Sequence, residues 1–208
     1  QFTSPINIAI PSGNFGNAYS AWFGRENGLP INEIFCASNV NDVLTRFISS
    51  GKLEPKETIP SVAPSMDIQI PSSLERLIYN LEGEASLFYD QLQSEKIANL
   101  TEESTVKLQN IFSSLSFDDE MILKEIELFY KNYGWIIDPH TATALSSSTS
   151  FSSNLPVVGV ATASPEKFSD VISKIIDEFT VENEKNEEKF LIQKANSSLV
   201  ENTIKEHL

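Results

Sequence analysis

The chain has one cysteine, few positive charges and no long apolar run, and each shortage removes a class of protein. Among 208 residues Cys36 is the only cysteine, so no internal disulfide framework is available. A reducing, cytoplasmic compartment is the expectation that follows. Fifteen Lys and Arg stand against 29 Asp and Glu, a net charge of −14. A nucleic-acid backbone or an anionic membrane surface selects the opposite sign, so neither is an expected partner. No apolar stretch approaches the roughly 18 residues that a spanning helix needs. The first residues, Gln1-Phe2-Thr3-Ser4-Pro5, include no initiator Met and no basic targeting region, and they read as a cut end. With 40% hydrophobic and 21% charged residues, the chain has an ordinary globular composition and enough length for one sizeable core.

The charge is unevenly spread. Residues 1–60 hold five acids and four bases, so nearly all of the negative excess lies beyond them, and no acid precedes Arg25 to repel an anion. Within this near-neutral part, Ile6-Asn7-Ile8-Ala9-Ile10 between Pro5 and Pro11 reads as a short buried strand, chiefly on its length. Ala18–Asn27 suits a helix stopped by Gly28 and Pro30, and Glu33–Ala37 a second strand. Asn41 is placed to cap a helix over Asp42–Ser50 that ends at Gly51. This alternation predicts an α/β fold, a three-layer parallel sheet flanked by helices.

Residues 52–73, with four prolines, read as a long ordered loop or crossover. Leu74 to Leu92 and Ile122 to Tyr133 carry apolar stripes, and Thr101-Glu102-Glu103 opens a helix between them. The segments expected are therefore 1–73, a phosphate-loop α/β segment; 74–133, a helical insertion; 134–180, the remaining α/β segment that completes the cleft; and 181–208, a peripheral helix or tail. In the third, Asp138-Pro139-His140 starts a short helix, Pro156–Ala161 is a strand, and Ser164-Pro165-Glu166 begins a helix with apolar residues from Phe168 to Phe179 at regular spacing.

The chemistry sits in Pro11-Ser12-Gly13-Asn14-Phe15-Gly16-Asn17, between a strand and a helix. Glycines there let the backbone reach φ > 0 and let a ligand oxygen approach the amides, while the helix aims free N–H groups at the same point. The serine and asparagine side chains add donors. On these residues alone the loop is either an anion cup or a tight turn. It contains no GK[ST] and no GxGxxG.

This loop resembles the phosphate loop of fold-type II pyridoxal-phosphate enzymes, and more closely that of the threonine synthase family. The resemblance continues in order through Ala37–Leu44, Pro64–Ile68 with Leu74–Leu77, Gly134–Ala142, and Ala161–Phe168. It implies that Gly13, Asn14, Phe15, Gly16 and Asn17 hold the phosphate of pyridoxal 5′-phosphate and that Thr162 meets the pyridine nitrogen. Ser65 and Arg76 are the implied substrate residues, for O-phospho-L-homoserine. The implied reaction converts that substrate and water to L-threonine and phosphate; a phospho-lyase outcome and a non-catalytic phosphate-binding fragment are the alternatives. The family's Schiff-base lysine has no counterpart near the loop. The first lysine is Lys52, so the resemblance implies a C-terminal portion of a longer enzyme, inactive alone, whose missing N-terminal part is its partner.

Other readings remain at single residues. Without the resemblance Thr162 is a capping hydroxyl and Arg76 a surface arginine. Asp67 either orients a cation or serves a turn. His140, with no second ligand nearby, reads as a hydrogen-bonded helix start, and no metal site is expected. Cys36 reads as a small core residue. Ser164 stands where the family often has His, and His207 lies in the tail.

Overall fold

The structure, a computed structural model, describes residues 4–179. In chain order the elements are β1 (Ile6–Pro11), α1 (Gly16–Glu26), β2 (Ile31–Ser38), α2 (Val43–Ser50), β3 (Lys52–Leu53), a 3₁₀ turn at Pro64–Met66, α3 (Leu74–Glu82) and α4 (Ser86–Glu95). They continue with β4 (Ala98–Asn99), α5 (Glu102–Ile111), β5 (Phe112–Ser116), α6 (Asp119–Tyr133), α7 (Pro139–Ser146), β6 (Val157–Gly159), a second 3₁₀ turn at Pro165–Phe168, and α8 (Ser169–Ile172).

The main sheet is parallel throughout, in the order β5-β2-β1-β6. Ile8, Ala9 and Ile10 of β1 lie opposite Ile34, Phe35 and Cys36 of β2, and Asn7, Ile8 and Ala9 lie opposite Val157, Val158 and Gly159 of β6. Parallel strands need both faces covered, and β2 shows how that is met. Ile34 and Cys36 join a core with Ala18 of α1, Phe47 of α2, Leu77 of α3, Phe88 of α4 and Leu108 of α5. The alternate residues Phe35 and Ala37 point the other way, into a second core with Ile122 and Ile126 of α6, Ala142 of α7 and Ile172 of α8. The architecture is three layers, with β2 fully wrapped.

Local chemistry explains several boundaries. Gly83, at φ 79°, ends α3 in a left-handed conformation and breaks the stripe from Leu74 to Leu92 into two helices. Thr101 caps α5 by accepting the Ser104 amide at 3.2 Å, and Asp118 caps α6 by accepting the Met121 amide at 2.8 Å.

Three expectations are corrected. Asn41 does not cap α2: Asp42 occupies that position, and the Asn41 amide side chain donates to Ile59 O and Asp67 Oδ1. Residues 74–133 are not purely helical, because β5 leaves α5 without a break and pairs with β2 from Ile34↔Phe112 to Ser38↔Ser116. With only Phe112 buried and serine at three of its five positions, β5 carries little hydrophobic signal. The helix expected from Ser164 is a 3₁₀ turn followed by only four α-helical residues. Its run of Val171, Ile172, Ile175 and Ile176 is β-branched, which weakens helix preference, although Ile172 and Ile176 are still buried. Ser164 makes no cap and donates its hydroxyl to Glu166. The expected tail, residues 181–208 with His207, lies outside the described residues. Among the described residues no helix is long and apolar enough to cross a membrane.

Cys36 is a core residue, and burial pushes its thiol up to about 12 despite a hydrogen bond with Ser12. A thiol reagent at pH 8 is therefore expected to leave the folded chain unmodified and to react once guanidinium unfolds it. Rapid stoichiometric labelling in native buffer would contradict this packing.

Candidate functional site

At the carboxyl end of β1 the chain turns into α1, which packs on one face of the sheet, while the adjacent strand β6 follows α7 on the opposite face. Loops that leave neighbouring strands toward opposite faces part from one another, and open α/β sheets form their binding crevices at such points. A cavity of about 240 Å³ opens here. Its walls are the Pro11–Asn17 turn, Ser65 and Met66, His140, and Thr162 beyond β6; none of them is a carboxylate, a lysine or an arginine.

The conformation of the turn comes from an unexpected residue. The positive φ belongs to Phe15, at 71°, and not to Gly13 or Gly16. Phe15 is 1% exposed and its ring meets Phe112 edge-on at 5.1 Å, so core packing holds a left-handed backbone that costs about 1–3 kcal/mol for a bulky residue. The following residues are helical, and such a left-to-right-handed change makes successive amides converge. Among the described residues, the N–H groups of Gly13 to Asn17 have no acceptor, α1 has no side-chain cap, and its first turn holds no acid. The donors and the helix dipole both face the cavity's end of α1.

Gly13 serves close packing instead of φ. A Cβ on it would stand 2.9 Å from the Ser65 carbonyl oxygen and 3.0 Å from Met66 Cα, so the Pro64–Met66 turn lies directly on the loop. Asn14 anchors the outer side: its Oδ1 accepts from the Ser72 amide and hydroxyl, and its carbonyl accepts from the Ser73 amide. The Ser12 hydroxyl is used within the turn, donating to Ile10 O at 3.3 Å. It is therefore not the ligand donor that the sequence suggests.

The structure thus brings Gly13, Asn14, Phe15, Gly16, Asn17, Ser65 and Thr162 around one cavity. Arg76 is outside it. The Arg76 guanidinium lies over the Tyr19 ring at 4.6 Å, although Nη2 comes within 3.9 Å of where a Gly16 Cβ would be. Among the described residues Asp67 pairs with no cation; it accepts from Asn39, Asn41 and Ser61 and ties the 59–67 loop together. Lys52 sits in β3, paired with Glu54 at 3.3 Å.

His140 lines the cavity as well, although sequence reasoning read it as a hydrogen-bonded helix start and not as a site residue. Buried with it is Asp138, whose Oδ1 accepts the His140 amide and lies 2.9 Å from Nδ1, while Oδ2 accepts the Thr141 hydroxyl. Burial pushes the Asp138 carboxyl up, but the bonds from His140 and Thr141 outweigh it and leave a net shift below the ordinary 3.8.

No protein-family model matches the chain. Threonine synthase of Pseudomonas aeruginosa is 30% identical over 175 residues, covering 81% of this chain and 37% of that protein. Threonine synthase-like 1 of Homo sapiens is 33% identical over 183 residues, covering 85% and 25%. Among solved structures, PLP-bound threonine synthase from Brucella melitensis superposes with a TM-score of 0.85 at 27% identity, over 98% of this chain and 46% of that one. Yeast threonine synthase gives 0.80 at 26% identity, over 97% and 47%. The chain is homologous to threonine synthases and shares their fold-type II architecture. It spans less than half the length of these relatives.

A carboxyl held below its ordinary value stabilises the fold above that value, and the contribution is lost as pH falls from 3.8 through the folded value. Asp138→Asn is expected to lower stability at pH 7 by about 2 kcal/mol and to flatten this acid limb of the stability profile. Denaturant titrations from pH 7 to pH 2 measure both, and an unchanged limb would show that Asp138 is not the group responsible.

Proposed function

We propose that this chain forms the phosphate-binding half of the active site of a threonine synthase, a pyridoxal-phosphate lyase converting O-phospho-L-homoserine and water to L-threonine and phosphate. The observation that carries the proposal is the row of acceptor-less amides from Gly13 to Asn17 at the uncapped start of α1, inside a cavity without a carboxylate. The homology supports pyridoxal phosphate as the ligand of that row, since one structural relative is PLP-bound. When bound, pyridoxal phosphate supplies an electron sink that stabilises charge next to the substrate amine, so that the substrate's phosphate can leave.

The chain's own residues act around that group. The amides of Gly13 to Asn17 hold its phosphate in place without requiring a cation. Thr162, exposed at the opposite wall, offers a neutral hydroxyl to the ring nitrogen, and a hydroxyl does not keep that nitrogen protonated as a carboxylate would. Ser65, in the cavity wall, would meet part of the substrate, and Arg76 adds positive potential beside Gly16 from outside the cavity. Among the described residues no lysine lines the cavity, and the chain spans less than half the length of its relatives; both support an amine supplied by another segment of a longer polypeptide.

A second reading, a phospho-lyase that would release phosphate, 2-oxobutanoate and ammonia, is kept beside it because the chain is also 33% identical to a protein that is only threonine synthase-like by name. Incubating the full-length protein with O-phospho-L-homoserine separates the two. Threonine is expected as the main product, and 2-oxobutanoate with threonine only in traces would overturn the choice. Gly16→Asp, which adds a negative charge at the start of α1, is expected to weaken cofactor retention at least tenfold, about 1.4 kcal/mol; unchanged retention would remove the cup from the mechanism.

A further inference from the structure

His140 is 2% exposed and touches three separate parts of the site. Its Nε2 lies 3.1 Å from the Ser65 amide nitrogen, and that N–H has to donate, so Nε2 must be an unprotonated acceptor. The proton is then on Nδ1, which donates to Asp138 Oδ1 at 2.9 Å. A carboxylate on one ring nitrogen fixes both tautomer and ring plane, as it does for many functional histidines. The ring also packs on Phe168, with centroids 5.0 Å apart, in the 3₁₀ turn that follows Thr162.

The Ser65 turn in turn lies against Gly13, where a Cβ would come within 2.9 Å of the Ser65 carbonyl. A displacement of Ser65 is therefore passed to the loop by backbone contact and not through a flexible side chain. Asp138, His140, Ser65 and Gly13 form one continuous line from the start of α7 to the amide cup.

We infer that His140, oriented by Asp138, is a positioning residue that clamps the Pro64–Met66 turn onto Gly13 and holds the Thr162 wall through Phe168, thereby setting the aperture of the anion cup. This rests on reading the Gly13–Asn17 amides as that cup. Neither the His140 ring nor Asp138 needs to touch the ligand for the aperture to depend on them.

The test is an amide NMR titration of the 208-residue chain with inorganic phosphate, in the native sequence and in His140→Leu and His140→Gln. Leucine removes the acceptor at Ser65; glutamine places Oε1 near the position of Nε2 and restores one. In the native chain phosphate is expected to shift the amides of Gly13 to Asn17, and long-range ¹H–¹⁵N spectra are expected to show a neutral ring with its proton on Nδ1. His140→Leu is expected to move the Ser65 amide signal and weaken phosphate binding about tenfold, and His140→Gln to recover binding to within about threefold of native.

Variants that bind phosphate as the native chain does, with an unmoved Ser65 amide, overturn the inference and leave the cup intact. A proton on Nε2, or a leucine variant that loses only thermal stability while its folded fraction binds normally, also overturns it. If phosphate moves no amide in the native chain, the cup itself fails and the inference with it, an outcome that the native titration alone identifies. Should His140→Leu not fold, the glutamine variant and the ring tautomer still decide.

Discussion

The site depends on a backbone conformation that the core imposes. Phe15 sits in the left-handed region at the end of the β1–α1 turn because its ring is locked against Phe112 beneath the sheet. Burying a phenylalanine is worth about 2–3 kcal/mol, enough to offset the strain of that backbone. The result is a row of amides that have no acceptor among the described residues. Thr101, Asp118 and Asp138 cap α5, α6 and α7, whereas α1, like α2, α3, α4 and α8, has no side-chain cap; what sets α1 apart is that its open amides line a cavity. This row of open amides is maintained by hydrophobic packing on the opposite side of the residue that bends it.

Topology then decides what faces the cup. Because β1 lies between β2 and β6, the turn after β1 and the loop after β6 are neighbours although about 150 residues apart in sequence. Ser65 and His140 reach the same point from a crossover turn and from the start of α7. The electrostatics are equally local. A net charge of −14 would repel a phosphate, yet the lining carries no carboxylate, and backbone dipoles at short range outweigh distant, solvent-screened acids.

Much of this was readable in order along the chain. The prolines around Ile6–Ile10, the Gly- and Asn-rich turn and the apolar stripe from Leu74 onward predicted the strand, the loop and the helices close to their observed bounds. The signals that failed were of two kinds. β5 is an edge strand whose serines carry no alternation, and the run after Ser164 has helical spacing in residues that resist regular helix. In both, neighbours and not local preference set the backbone.

At the site the division is sharper. Residue types and their order marked Gly13–Asn17 as either an anion cup or a tight turn, and only the resemblance to threonine synthases joined Thr162 to it; the structure sets these residues around one cavity. Which residue carries the strain, why Gly13 must be small, that Arg76 stands outside and that His140 joins two walls were not encoded locally. Those facts come from side chains and backbones meeting across about 30 to 100 residues of sequence, and only the packed sheet brings such partners into contact.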